Sequence, residues 1–580
     1  GTGGISDQFH ADYLYQPGAS VDDQWNGLWG ILRTYRPRGT QPETLITPRS
    51  DDDTLAPLPT EVRDAQLRVA KAAREERDKG LRPYVEDAPQ LFDGSCPADE
   101  QFAPRRRYRV SAYRARDILT PQGIIFNANT FTVRKPGTSS DESGPLRDPT
   151  AIVYVRDEHI GQNGKYNRRH LEPLVLRASA GECVEVTLTN RLPDTALDLP
   201  GYNTLPMIID DFNANQVVPS RDVGLHPQLL HYDMSVGPPF AGNGINVGLN
   251  PVQTVDPLAG PRPKSITYRW YAGDVGIEES PNMRRATPVE FGATNLMSSD
   301  PVKHSNKSAI GSLIIEPRCS SWQEDAASTH AATVHKPNLP GPVRHCPTAT
   351  TDVTVFREFV LQFQNDLNLR FADGSPVPNL AEAEDPEDSG QKALNYRTDP
   401  FWTRLCYWPA LPLTGGSNWP PASQCPRSGA ESTRQFDMTN SLHNAQVGRD
   451  PATPVFSAAV GTQVRFRVLH SGGHARNDVF MLHGHIWQEM PYLMLPRREA
   501  GSEINSPDLG ASNVITDNVI GNNPKSPWHG SQWGHGPSNH IDVVLRAAGG
   551  EFKVVGDYLY RTFQSFHFDG GMWGIFRVTR

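Results

Sequence analysis

Two passages of this sequence carry side chains able to do metal or proton chemistry. One runs Asp478-Val479-Phe480-Met481-Leu482-His483-Gly484-His485; the other opens Asp557-Tyr558-Leu559-Tyr560-Arg561-Thr562-Phe563 and closes with His567 and Met572. His483 and His485 stand two residues apart, so on a strand they share one face. Paired imidazoles on one face can chelate copper or zinc, and His567 and Met572 offer a nitrogen and a soft thioether at the other end. Structural histidines satisfied by their neighbours are the plainer alternative, and the residues alone leave both open. Five further histidines, His470, His474, His529, His535 and His540, crowd the same part of the chain. His529 and His535 fall in a Trp-, Gly- and Ser-rich loop, where backbone-bonded loop histidines are the simpler expectation and a metal site the sharper one.

The elements that must position these groups read as strands. An internal repeat marks two of them. Asp12-Tyr13-Leu14-Tyr15 followed by Gly27-Leu28-Trp29-Gly30-Ile31-Leu32-Arg33 returns as Asp557–Tyr560 followed by Gly571-Met572-Trp573-Gly574-Ile575-Phe576-Arg577, with the spacing changed by one residue. Self-similarity of this kind means repeated domains. Each copy reads as strand, loop, strand. Residues 1–35 therefore look like the last two strands of a domain whose earlier strands lie on another chain or on a cleaved segment, because an isolated strand pair is marginal in water. On that reading Gly1 is not a natural domain start.

Residues 36–105 read as a Pro-rich linker, with a helix at about 61–79 capped by Thr60. Strand signals resume at 107–113, 123–127, 130–133, 151–155, 174–178 and 184–190, rich in Val, Ile and Thr with turn residues between. This domain is expected to span 106–318 and to close at Ala309–Glu316. Residues 319–351 read as a second linker. A last domain is expected over 352–580, with a long irregular insertion at about 366–450 and strands at 463–469, 479–482 and 541–545. The fold class is all-β: tandem Greek-key β-sandwiches with long loops and one linker helix.

Bulk composition supports this. A chain of 580 residues suggests three or four units, or two large ones plus extras, and Gly 49 with Pro 51 suits short strands and many turns. Net charge −9 with no Lys/Arg block gives no case for nucleic acid, and no apolar run is long enough for a membrane span. None of the six cysteines forms a CxxC pair. Cys319/Cys346 and Cys406/Cys425 read as two local disulfides, hence an oxidising compartment: extracellular, periplasmic or cell surface.

The His-rich passages resemble the last domain of a multicopper oxidase, a family of cupredoxin domains. The resemblance covers nearly all of 106–318 and 352–580. Passages such as Asp210-Asp211-Phe212-Asn213, Ser298-Ser299-Asp300, Ile314-Ile315-Glu316-Pro317 and Asn395-Tyr396-Arg397 resemble the large, many-domain bacterial branch related to manganese-oxidising enzymes and ceruloplasmin. It implies copper, and places His567 at the final type 1 histidine and Met572 at the axial position. The type 1 cysteine falls on Thr562, the other type 1 histidine on Asp478, the type 2 histidine on Met481, and the flanking type 3 histidines on Arg561 and Phe563. His483 survives as a trinuclear ligand. In 106–318, His226 matches a ligand histidine, Gln228 replaces the next, and Ala272 and Asp274 replace two more. The remnant metal positions are thus His226, His483, His567 and Met572. A blue-copper site needs a thiolate, which a Thr hydroxyl cannot replace. The resemblance therefore implies a segment or subunit of a secreted oxidase acting on a metal ion or small reductant with O2, inactive by itself, with copper partial or on partner domains. The partner would be another cupredoxin chain, or a cleaved segment, completing residues 1–35. The competing reading is a non-enzymatic structural or binding protein of an extracellular assembly. A third is a mononuclear site built from His226, His483 and His567.

Overall fold

The computed structural model describes residues 12–15, 30–33 and most of 90–580, leaving out chiefly 198–218, 233–264, 276–282, 379–390, 410–441, 443–448 and 493–519. The linker helix expected at 61–79, the Cys406/Cys425 pair, His474 and the Asp210–Asn213 passage lie outside the described residues.

Strands dominate, as expected of an all-β chain. The first pair is β1 (Asp12–Tyr15) and β2 (Gly30–Arg33), antiparallel. The principal strands that follow are β3 (Arg105–Arg114), β4 (Ile152–Arg156), β5 (Leu174–Ser179), β6 (Cys183–Asn190), β7 (His226–Pro227), β8 (His231–Tyr232), β9 (Ser265–Tyr271), β10 (Gly292–Met297) and β11 (Gly311–Glu316). They form one sheet in the order β4-β3-β6-β9-β8 and another in the order β5-β11-β10-β7. Val110, Tyr154, Val186 and Trp270 from the first sheet meet Leu176, Leu296 and Leu313 from the second in one buried cluster, which makes a sandwich. The period-2 alternation of apolar residues dictates this, since it turns one face of each strand to the other sheet. A disulfide joins Cys96 to Cys183 at the start of β6, a pairing the sequence reading missed.

Residues 319–351, expected as a linker, hold two strands instead: β12 (Ser321–Asp325) and β13 (Ser328–Pro337). They pair with each other and extend the sheet built on the long β14 (Val353–Leu367). Pro and Cys suggested a linker, but Ala332 and Val334 alternate into burial, and the Cys319–Cys346 disulfide ties the chain before β12 to the chain after β13. That bond matches the expected local pair. The second sandwich continues with β15 (Gln391–Leu394), β16 (Val455–Ala459), β17 (Gln463–His470), β18 (Phe480–Leu482), β19 (His540–Leu545), β20 (Gly556–Thr562) and β21 (Trp573–Thr579). Its sheets run β12-β13-β14-β17-β19, with β15 on β14, and β16-β21-β20-β18. Phe359, Phe466, Phe480, Tyr560 and Phe576 fill the space between them.

Where it is described, the expected irregular insertion is packed. Leu369, Phe371, Trp402 and Trp408 pack with Phe126, Phe131 and Leu146 in a third cluster that bridges the two sandwiches, and Phe131 meets Trp402 edge-on at 5.4 Å.

The outer faces of β5 and β11 press against those of β14, β17 and β19. Val175, Ala293 and Ile314 meet Val360 and Leu469 there. Alternation also turns Arg177, Glu316, Glu358, Arg467 and Asp542 into this seam, all of them buried. Arg467 donates to Glu358 Oε2 at 3.0 Å, Asp542 Oδ1 at 2.8 Å and Glu316 Oε2 at 2.8 Å. Arg177 reaches Glu358 Oε1 at 2.8 Å and Glu324 Oε1 at 2.9 Å. Gly292, with φ +70°, leaves room for the Asp542 carboxylate that a Cβ there would meet.

Near the C-terminal end of the chain, Tyr560 of β20 lies across Gly574 of β21, and its hydroxyl donates to the Pro454 carbonyl at 2.6 Å. A Cβ at Gly574 would stand on the Tyr560 hydroxyl. Gly574→Ala is therefore expected to lower stability by about 1–3 kcal/mol through overpacking, read as a fall in denaturant midpoint. An unchanged midpoint would mean the ring has another place to go.

Candidate functional site

The residues singled out for chemistry divide into three places. His567 and Met572 come together at one end of the second sandwich. His567 sits in the short helix α1 (Ser565–Asp569) after β20, and the Met572 amide bonds the His567 carbonyl at 3.1 Å. Both are buried. His226 lies in the first sandwich, edge-on to Tyr268 at 5.1 Å between ring centroids, where burial alone pushes its pKa down to about 3. His483 lies at the surface just past β18, its amide on the Leu559 carbonyl at 3.0 Å. Neither His226 nor His483 is placed against His567. His485 is turned inward, its Nε2 accepting from the Gly549 amide at 3.0 Å.

The group that organises this end is Asp478. Its Oδ1 lies 2.7 Å from His567 Nδ1 and its Oδ2 lies 3.2 Å from His470 Nε2, with every one of these side chains buried. Asn365 Nδ2 stands 3.1 Å from the same His470 nitrogen. The Asp478 and His535 backbones bond each other in both directions, at 3.0 and 2.8 Å. The His535 ring lies 6.0 Å from that of His470 and 4.9 Å from that of Phe363. Thr562 ends β20 beside them: its amide bonds the Met572 carbonyl at 3.1 Å, and its hydroxyl accepts from the Val479 amide at 3.4 Å.

The electrostatics follow from burial. Desolvation opposes charge on Asp478, but the His567 and His470 imidazoles outweigh it and hold its carboxyl well below the usual range. Burial lowers His567, with Asp478 pulling the other way. Desolvation pushes His535 down to about 4. Asp478 is therefore ionised, and since an ionised carboxylate only accepts, His567 Nδ1–H is the donor of their bond.

This arrangement does not fit a blue-copper centre. Such a centre takes two imidazoles, a thiolate and a weak axial thioether. Met572 is the right kind of axial group, but the groups beside His567 and Met572 are the Thr562 hydroxyl, which is no thiolate, and the Asp478 carboxylate. The carboxylate also engages the Nδ1 of His567. Among the described residues, no three His, Cys, Asp or Glu side chains are grouped to hold a metal ion. The Asp478 hub could be suspected from sequence only through the place it takes in the His-rich motif. The approach of His470 and His535 depends on strand ends about 60 residues apart, as their positions in β17 and just before β19 show.

No family model matches the chain, and no curated protein is similar enough in sequence to count as a relative. Among solved structures its likeness runs to multicopper oxidases. A structure described as a multicopper oxidase is 11% identical, covering 87% of this chain and 99% of its own length, with a TM-score of 0.34. The blue copper oxidase of Nitrosomonas europaea is 12% identical over 82% of this chain and 86% of that one, at a TM-score of 0.30. The multicopper oxidase mgLAC is 11% identical over the same shares, at 0.31. Likeness at this level assigns no residue a role.

Proposed function

We propose that this chain is a scaffold portion of a larger, secreted protein of the multicopper-oxidase type, and that oxidation of a metal ion or small reductant by O2 uses copper held by other domains. The observation that carries this reading is the bond between Asp478 and His567 at 2.7 Å beside Thr562. A carboxylate and a hydroxyl stand where the motif calls for an imidazole and a thiolate, so a fast electron relay has no seat. The Asp- and Thr-substituted motifs support the family reading, and the two described disulfides suit an extracellular, periplasmic or surface location. No helix among the described residues is long and apolar enough to cross a membrane.

Copper per chain, measured by elemental analysis with an absorption scan across the blue-copper band, tests this. The chain purified alone is expected to give no blue band, and native material containing another cupredoxin chain to give copper and the band together. A blue band from this chain alone overturns the proposal. A homogeneous, copper-free native assembly of this chain alone favours a non-enzymatic structural or binding protein, the reading that the substituted ligand positions also support.

A further inference from the structure

Lysine is among the residues least often buried completely. Lys392 of β15 is nonetheless buried, and its Nζ stands 3.9 Å from Oδ1 of Asp366, which is buried too. The backbone brings the two together. β14 and β15 pair at Phe363↔Leu394 and Gln364↔Ala393 and again at Leu367↔Gln391, with the register shifted between Gln364 and Leu367. Two residues of β14, Asn365 and Asp366, therefore oppose the single Lys392. That is a β-bulge, a device that re-aims side chains. Asp366 has φ +59°, a left-handed conformation that Asp and Asn adopt more readily than most residues.

The two bulged residues face different ways. Asn365 reaches His470, and Asp366 reaches Lys392. The bulge is held from outside the sheet, where Asn306 Nδ2 donates to the Asp366 carbonyl at 3.4 Å. The lysine stem is held as well: a Cβ at Gly570, just past α1, would come within 3.0 Å of Lys392 Cγ. The pair lies at a border. Phe363 and Leu394 belong to the core of the second sandwich, whereas Leu367 and Ala393 belong to the cluster that bridges the sandwiches.

Charge is costly in such a place. Each ion gives up its hydration, and attraction repays that only at close, well-directed contact. The separation of 3.9 Å is longer than the about 2.7–2.9 Å of a charge-assisted hydrogen bond. Strand pairing meanwhile fixes amine and carboxyl side by side, and positioning of this kind stands in for a reactant concentration of about 10⁵–10⁸ M.

We propose that Lys392 and Asp366 are a modification site, joined through their side chains by an intramolecular amide bond. One proton passes from the Lys392 ammonium to the Asp366 carboxylate. The amine so formed attacks Cγ, and the C–O bond breaks as a second proton follows the leaving hydroxyl. Both hydrogens of the departing water come from the ammonium and its oxygen from the carboxylate. The two charges vanish together, and no oxidant or cofactor is consumed. Burial keeps out the water that would reverse the step. The bond closes residues 367–391 into a loop fastened at both ends, and this loop carries Leu369, Phe371 and Val377 of the bridging cluster. It is a staple on the contact between the sandwiches, formed without copper or a partner chain.

Intact mass spectrometry of the full chain, with its disulfides reduced, tests this. The expected mass is below that of the sequence by one water. Tryptic digestion is expected to give a branched peptide that joins the segments of Asp366 and Lys392 and is uncut after Lys392. Lys392→Arg keeps the positive charge but replaces the amine that condenses, so that variant is expected at the full sequence mass. A wild-type chain at the full sequence mass, with Asp366 and Lys392 on separate linear peptides, overturns the proposal and leaves an ordinary buried ion pair. A water loss that persists in Lys392→Arg also overturns it, because it then belongs elsewhere, as in ring closure at Asp373-Gly374. The wild-type peptide map decides the matter even where the variant fails to fold.

Discussion

Arg467→Met is expected to cost about 3–5 kcal/mol, the scale for breaking a buried ion pair by removing one partner. Arg467 is the cation shared by Glu316, Glu358 and Asp542 at 2.8–3.0 Å in a seam that none of them leaves. Three guanidinium groups, Arg156, Arg177 and Arg467, face four carboxylates, Glu316, Glu324, Glu358 and Asp542. Burial, together with the facing Glu358, raises Glu316 well above the usual carboxylate range, so one proton is held there and the charges balance. Removing Arg467 breaks that balance by a full charge, with no water to screen it. The thermal midpoint is expected to fall by about 3–5 °C. Arg577→Met is the contrast. Arg577 pairs with Asp450 and Asp557 at 2.8 Å, but at the surface, and its loss is expected to cost less than about 1 kcal/mol. Asp542→Asn in the Arg467→Met background should recover part of the deficit, because it removes one stranded carboxylate. Additive losses from the two changes would mean that the groups do not share one network.

This seam shows where sequence reasoning stops. The strands themselves were legible, because Val, Ile and Thr alternate along them: the strand expected at 174–178 is observed at Leu174–Ser179, and the one expected at 463–469 at Gln463–His470. Arg177, Glu358 and Arg467 occupy the outward positions of that alternation, where charge ordinarily faces water. A signal against water was present: the same outward faces carry Val175, Ile314 and Val360, and strands apolar on both faces are strands buried on both faces. The choice of second layer needs the fold, because partners such as Arg177 and Glu358 are 181 residues apart. The candidate site divides in the same way. The motif located His567, Met572, Thr562 and Asp478 on neighbouring strand ends. That Asp478 would turn its carboxylate onto His567 and His470, rather than leave the histidines to other partners, depends on β17, the chain before β18 and the turn at α1 meeting at one buried point.

Acid should weaken the fold above the range where ordinary carboxylates titrate. His226 and His535 have folded pKa values pushed down to about 3 and about 4, against about 6.5 for an unfolded histidine. The unfolded chain therefore binds more protons than the native one below about pH 6.5. The stabilisation from keeping these rings neutral is fully present above that pH and is lost as pH falls toward the folded values, with a slope of about 1.4 kcal/mol per pH unit for each ring. His304 and His567, lowered chiefly by burial, act in the same sense. Glu316 acts in the opposite sense: its folded pKa is raised, so its contribution grows as pH falls toward the ordinary glutamate value near about 4.3. Histidines outnumber it, and the net expectation is a loss of at least about 1.4 kcal/mol per unit between roughly pH 6.5 and 4.5. Denaturant midpoints measured across that window test the balance. His535→Gln should flatten the slope, since a ring that must stay neutral is gone, whereas Glu316→Gln should steepen it. A slope that neither variant moves would mean that other groups carry the acid response and that the two sites titrate alike in the folded and unfolded chain.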